Sequence, residues 1–121
     1  GNDILIGGAG SDSLTGGVGS DVFRFLSVLD SPLGSGADHI TDFVHGPDRI
    51  DLSGIDANDV LAGDQAFTFL GTGAFTGLGQ LRLGTDGGHA ALFGNTTGDL
   101  TADFEIILDN NVNLLVGDLV L

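Results

Sequence analysis

Residues 7–24 read Gly7-Gly8-Ala9-Gly10-Ser11-Asp12-Ser13-Leu14-Thr15 and then Gly16-Gly17-Val18-Gly19-Ser20-Asp21-Val22-Phe23-Arg24. The two stretches align position for position as G-G-x-G-x-D-x-U-x, where U is a large apolar residue. Before them, Gly1-Asn2-Asp3-Ile4-Leu5-Ile6 reads as the last two thirds of another unit. Three registers therefore recur together every nine residues: Gly1, Gly10 and Gly19; Asp3, Asp12 and Asp21; Leu5, Leu14 and Phe23. Simple hairpin turns would account for the glycines, but not for an Asp and an apolar residue at fixed offsets. A short fixed period is the mark of a stacked architecture.

The chemistry of the unit predicts its shape. Six residues make a turn and three make a short strand. Glycine reaches positive φ without steric cost, which lets a turn aim its carbonyls inward. The Asp closes the turn and offers a carboxylate, and the U side chain enters a core between two sheets. Two units make one turn of a flattened, parallel β-roll, so each unit lies beneath the next but one. A cation between stacked turns would share carbonyls and an Asp from each. The expected metal-ligating set is Gly1, Asp3, Gly7, Gly8, Ala9, Gly10, Asp12, Gly16, Gly17, Val18, Gly19 and Asp21. Asp3 and Asp21 should share one site. Asp12 needs a partner from further along, for which Asp38 and Asp42 are the candidates.

Composition points the same way. All but one of the 17 acidic residues are Asp, the exception being Glu105, and only Arg24, Arg49 and Arg82 oppose them, for a net charge of −14. Asp favours turns over helices. With 22 glycines and 41% hydrophobic residues, the chain reads as all-β with many tight turns, not as a disordered acidic tail. The charge opposes compaction, and a hard cation that prefers oxygen ligands, Ca²⁺, is the natural counter-ion. The same charge argues against nucleic acid and anionic surfaces as partners. There is no cysteine, hence no thiolate metal site. No apolar run approaches the roughly 18 residues of a membrane-spanning helix, and the first residues read as part of a repeat rather than as a secretory leader.

Beyond Arg24 the strict period stops, so residues 1–24 form the repeat roll, and residues 25–121 its continuation and cap in one structural unit. Ile40 and Ile50–Leu52 should continue the roll after a loop around Asp30–Gly36. Ile55–Gly63 reads as one helical turn capped by Asp56. Short strands are expected at Gln65–Leu70, Gln80–Leu83, His89–Phe93, Phe104–Leu108 and Leu114–Leu121, the middle pair a hairpin around Asp86-Gly87-Gly88. Together they should form a mostly antiparallel cap that protects the last rung's edge. Gly71–Gly77 lacks the spacing of a dinucleotide loop, and His39, His45 and His89 lack that of a zinc protease. Thr97–Asp103 carries too few acids for a calcium loop. No nucleophile–base pair is recognisable, so the module is expected to be non-catalytic.

These residues resemble a known family. A nonapeptide of this form is an established calcium-binding repeat of RTX proteins. The continuation is more specific. Phe23-Arg24-Phe25, Asp30-Ser31-Pro32, Ala37–Phe43, Asp48–Ser53, Gly79–Arg82, Asp86-Gly87-Gly88, Ala102–Ile106 and Gly117–Leu121 resemble the C-terminal domain of serralysin-type metalloproteases. The resemblance implies a calcium-loaded β-roll on a secreted, extracellular protein, downstream of a catalytic domain. It also implies export by type I secretion machinery that reads the C-terminus, here Asp118, Leu119, Val120 and Leu121. Those four residues equally suit a last core strand. The same module occurs on alginate epimerases and lipases, so a substrate- or surface-attachment role on another secreted enzyme is the alternative.

Overall fold

In a computed structural model, residues 1–58, 65–97 and 99–121 are described. Among the described residues ten strands follow one another: β1 (Ile4–Leu5), β2 (Ser13–Leu14), β3 (Val22–Arg24), β4 (Asp38–Ile40), β5 (Arg49–Asp51), β6 (Thr68–Phe69), β7 (Gln80–Asp86), β8 (His89–Asn95), β9 (Phe104–Leu108) and β10 (Leu119–Val120). They form two sheets, in the orders β1-β3-β5-β10 and β2-β4-β9-β8-β7-β6. From β1 to β5 the chain alternates between the sheets, as stacked units of this kind require, whereas β6 to β9 all lie in the second sheet.

The register follows the repeat where the repeat is intact. Leu5 lies beside Phe23, which lies beside Ile50, which lies beside Leu119, all in parallel. On the facing sheet Leu14 stacks on Ile40 and Ile40 on Leu108. These U-type residues meet in one core with Phe25, Phe43, Leu52, Phe67, Leu81, Leu92, Phe104 and Ile106. Phe23 and Phe43 pack with ring centroids 6.1 Å apart, and Phe67 meets Phe104 edge-on at 5.7 Å. Each such side chain, removed from water, contributes about 1.5–3 kcal/mol.

Residues 26–37 form the longer connection from β3 to β4. Ser27 opens a 3₁₀ turn at Val28–Asp30 by accepting the Leu29 amide on its Oγ at 3.1 Å. The hairpin β7–β8 turns on Gly87 and Gly88, whose φ values of 60° and 86° are those of a two-residue turn matched to strand twist.

The end of the chain departs from a purely antiparallel cap. β7–β8 and β8–β9 are antiparallel, but β9 joins β4 in parallel and β10 joins β5 in parallel. The cap therefore hands the chain back to the roll, and Leu119 supplies its last U-type position. Within Leu114–Leu121 only Leu119–Val120 is strand, after a 3₁₀ turn at Val116–Asp118. The strand expected over Gln65–Leu70 is shortened to Thr68–Phe69. The turn expected at Ile55–Gly63 runs into residues 59–64, outside the described residues. Over Ile55–Asn58 no helix forms, and the Asp56 Oδ1 instead accepts the amides of Asn58 and Gln65.

Candidate metal centre

The turns of the repeat carry the backbone their glycines were expected to supply. Gly8, Gly10, Gly17 and Gly19 have φ of 75°, 103°, 82° and 127°, a region that other L-residues avoid.

Each repeat Asp ties its turn to the neighbouring rung in one recurring way. The Asp3 amide donates to Oδ1 of Asp21 at 2.9 Å. The Asp21 amide donates to Oδ1 of Asp48 at 3.0 Å. On the other side of the roll, the Asp12 amide donates to Oδ1 of Asp38 at 2.8 Å. Asp38 thus takes up the rung above Asp12.

The second oxygens of these carboxylates are left over. Oδ2 of Asp12, Asp21 and Asp38 is buried in each case and has no hydrogen-bond partner. A buried unpaired carboxylate oxygen is costly. Two of the three converge: a Cβ placed on Gly7 would lie 2.8 Å from Oδ2 of Asp12 and 3.0 Å from Oδ2 of Asp38. A Cβ on Gly16 would lie 2.5 Å from Oδ2 of Asp21. The first glycine of each unit is therefore required for space beside a carboxylate, since neither Gly7 nor Gly16 has positive φ. Burial, with Asp12 beside it, pushes the Asp38 carboxyl up to about 6, against the Asp12 amide bond that favours ionisation.

This donor set suits a hard cation. Two like carboxylates facing one point in a dry turn repel unless a cation or proton lies between them. Among the described residues no group of three or more His, Cys, Asp or Glu is arranged to hold a metal ion. A cation here would complete its shell from backbone carbonyls, which suits Ca²⁺.

The other expected residues have distinct places. Asp42 spends its two oxygens on the amides of Gly16 and Gly17, at 2.9 and 2.7 Å, and so clamps the second turn. Asp3 contributes its amide to the ladder. The nitrogen of Gly1 donates to the Val18 carbonyl at 3.2 Å, joining stacked turns on that side. Val18 and Ala9 hold their side chains in solvent. Asp48 was not among the expected residues. Its signal was present in the sequence, since Asp48-Arg49-Ile50 repeats the Asp-x-U pattern of Asp21-Val22-Phe23.

The three histidines do not share one site: two reach Asp109 and the third reaches Asp118. His39 Nδ1 meets Asp109 Oδ1 at 2.7 Å, His89 Nδ1 meets the Asp109 carbonyl at 3.2 Å, and His45 Nδ1 meets both oxygens of Asp118 at 2.8 Å. In the 95–103 loop, Asp103 already accepts the Thr96 and Thr97 amides, and Asp99 accepts the Thr97 hydroxyl. Asp118 is buried. Burial opposes its ionisation, but the Leu115 amide, the His45 imidazole and the Gly46 amide outweigh it and hold the carboxyl below its ordinary value.

Comparison with known proteins agrees with the geometry. The chain is similar to two solved subunits of the Azotobacter vinelandii mannuronan C5-epimerase, AlgE6R3 and AlgE6R2. Both are 33% identical, with TM-scores of 0.61 and 0.63. In each case 98% of this chain is covered, against 62% of the R3 subunit and 70% of the R2 subunit. None of the curated proteins matches the chain. The family model described as Peptidase M10 serralysin C terminal matches residues 2–118, which takes in β1 to β9 and ends just before β10. With its turns, rungs and buried carboxylates in the arrangement set out above, the chain belongs to the serralysin C-terminal family of M10 peptidases.

Proposed function

We propose that the chain is a non-catalytic, calcium-binding module of a type I secreted bacterial protein, and that its parent is a serralysin-like metalloprotease. The observation that carries this reading is the pair of buried, unpartnered oxygens of Asp12 and Asp38 aimed at the same glycine. Asp21, with its spare oxygen against Gly16, is the centre of a second site on the side of Asp3. Backbone carbonyls from the Gly7–Gly10 and Gly16–Gly19 turns complete both. In this role each cation neutralises carboxylates that the fold packs together, so each loaded site stabilises the folded chain. The chain stays unfolded where calcium is scarce and folds outside the cell. The terminal Asp118–Leu121 segment directs export.

Calorimetric titration of the chain with calcium chloride tests this. The reading expects saturable binding of more than one ion, at dissociation constants of about 10⁻⁴–10⁻³ M. Heats indistinguishable from dilution would overturn it.

Similarity to epimerase subunits favours a second reading, in which the module attaches another secreted enzyme to its substrate. Calcium-dependent retention on an immobilised uronate polymer would support it. Absence of retention with and without calcium would exclude it.

A further inference from the structure

The turn at residues 44–48 is held from two sides. Internally, the Val44 amide donates to Oδ2 of Asp48 at 2.8 Å, and the Asp48 amide donates to the Val44 carbonyl at 3.1 Å. Arg49 Nη1 donates to the Asp48 carbonyl at 2.8 Å and to the Gly46 carbonyl. Toward the roll, Oδ1 of Asp48 accepts the amide of Asp21. Toward the C-terminus, His45 and the Gly46 amide both reach Asp118.

Asp118 is only 1% exposed. Its Oδ2 also accepts the Leu115 amide at 2.9 Å, which closes the 3₁₀ turn that delivers Leu119 onto Ile50. A direct hydrogen-bonded path therefore runs from the C-terminal strand through Asp118, His45 and Gly46, the turn and Asp48 to the amide of Asp21.

We propose that docking of the C-terminal strand and cation binding at Asp21 are coupled through this turn, with His45 and Asp48 as positioning residues that touch no cation themselves. The inference rests on the calcium reading above. Asp118 has two stable arrangements, fully docked on its donors or released into water, because a buried carboxylate with half its partners is costly. When it leaves, the turn loses its outer hold, and Asp48 no longer fixes the amide of the residue whose Oδ2 faces the cation. Coupling between two binding events is reciprocal, so the cation must in turn hold the strand. The Asp12–Asp38 pair lies on the other sheet's side of the roll, and none of the hydrogen bonds of Asp118 leads to it. That pair is the internal control.

The test uses calcium ion alone on the whole chain, followed by nuclear magnetic resonance. The Asp3 amide reports the Asp21 carboxylate, and the Asp12 amide reports Asp38. In His45→Ala and Asp118→Asn, with folding in saturating calcium verified by circular dichroism, the midpoint at Asp3 should rise about five-fold or more, while that at Asp12 stays within about two-fold. His45, a half-exposed side chain, carries the test if Asp118→Asn does not fold.

The reciprocal measurement is amide exchange in Asp21→Ala at saturating calcium. The Leu52 amide, which donates to the Val120 carbonyl at 2.9 Å, should exchange faster by a similar factor. The Thr41 amide, which donates to the Leu14 carbonyl on the other sheet, should not. An Asp3 midpoint unchanged in the variants, or Leu52 and Thr41 responding equally, overturns the coupling while leaving calcium binding intact. No calcium-dependent shift at any wild-type amide overturns the calcium reading and the coupling with it.

Discussion

Replacing Asp21 by alanine should destabilise the domain far more in calcium than without it. Asp21 is fully buried. Its Oδ1 accepts the Asp3 amide at 2.9 Å, its Oδ2 has no partner in the protein, and its own amide bond to Asp48 survives the substitution. With calcium at ten times its dissociation constant, one lost site costs about 1.4 kcal/mol and the lost hydrogen bond to a charged group about 1.5–3 kcal/mol more, or about 3–4 kcal/mol together. That corresponds to a drop in Tm of about 10–20 °C for a chain of this size. As calcium is withdrawn, the lost bond is increasingly offset by relief of a buried, uncompensated carboxylate, and the two proteins should converge to within about 1 kcal/mol. The assay is thermal unfolding by circular dichroism across a calcium series. Stability against the logarithm of calcium concentration should be shallower in Asp21→Ala by about RT for each site lost. Equal slopes, with the same Tm difference at every calcium concentration, would refute the reasoning.

Gly16→Ala should weaken calcium binding although it removes no ligand and needs no positive φ, because its Cβ would fall 2.5 Å from Oδ2 of Asp21; wild-type affinity by calorimetry would show that the space beside Asp21 is not used. Gly19→Val should do so through the backbone, since φ there is 127°, a conformation that a β-branched residue resists; an unaltered calcium midpoint would count against the turn geometry. For Asp38, burial pushes the carboxyl in the folded chain up to about 6 from its ordinary value of 3.8. Calcium affinity should therefore rise as pH rises from the lower value to the higher and then level off, because the ion displaces a proton from Asp38. Asp38→Asn should flatten that rise, and equal affinity at both ends of the window in the wild type would contradict it. Deleting Asp118–Leu121 removes Leu119 from the core, at about 2–5 kcal/mol, and should also abolish export through a matched type I machinery; normal secretion of the deletion and of Asp118→Lys would leave those residues with only their structural role.

The parts of the fold legible in the sequence are those written in a local period. The offset between Asp3 and Asp21 placed Leu5 on Phe23, and the apolar position of each unit placed Leu14 in the core. The local period ends where the chain inserts residues 26–37, although Ile40 and Ile50 still read as continuing the roll and do take up the next rungs. The next rung is then found by long-range parallel pairing of Leu14 with Ile40, for which no local spacing exists. The same holds for β9 and β10, whose parallel seats beside β4 and β5 depend on the chain's return from the cap. Phe104–Leu108 is buried at every position, so alternation could not show which face it presents. At the candidate site, the sequence named Asp12, Asp21, Asp38 and Asp42 but neither Asp48 nor the division of labour among them. Asp42 clamps amides, Asp38 completes the pair with Asp12, and Asp48 holds Asp21 from the rung beyond. Those roles depend on which oxygen meets which amide. Asp118 was readable as an acid before three apolar residues; that His45 and Gly46 bury it was not.

The central claim is that a cation between the turns is what lets this acidic chain fold, and circular dichroism of the whole chain, in excess EDTA and then in millimolar calcium, tests it most directly. For a domain whose total stability is only about 5–15 kcal/mol, losing several sites decides the outcome. The account predicts a disordered spectrum with no cooperative melt in EDTA, and a β spectrum with a cooperative transition when calcium is restored. A β spectrum and melting temperature in EDTA identical to those in calcium would contradict it.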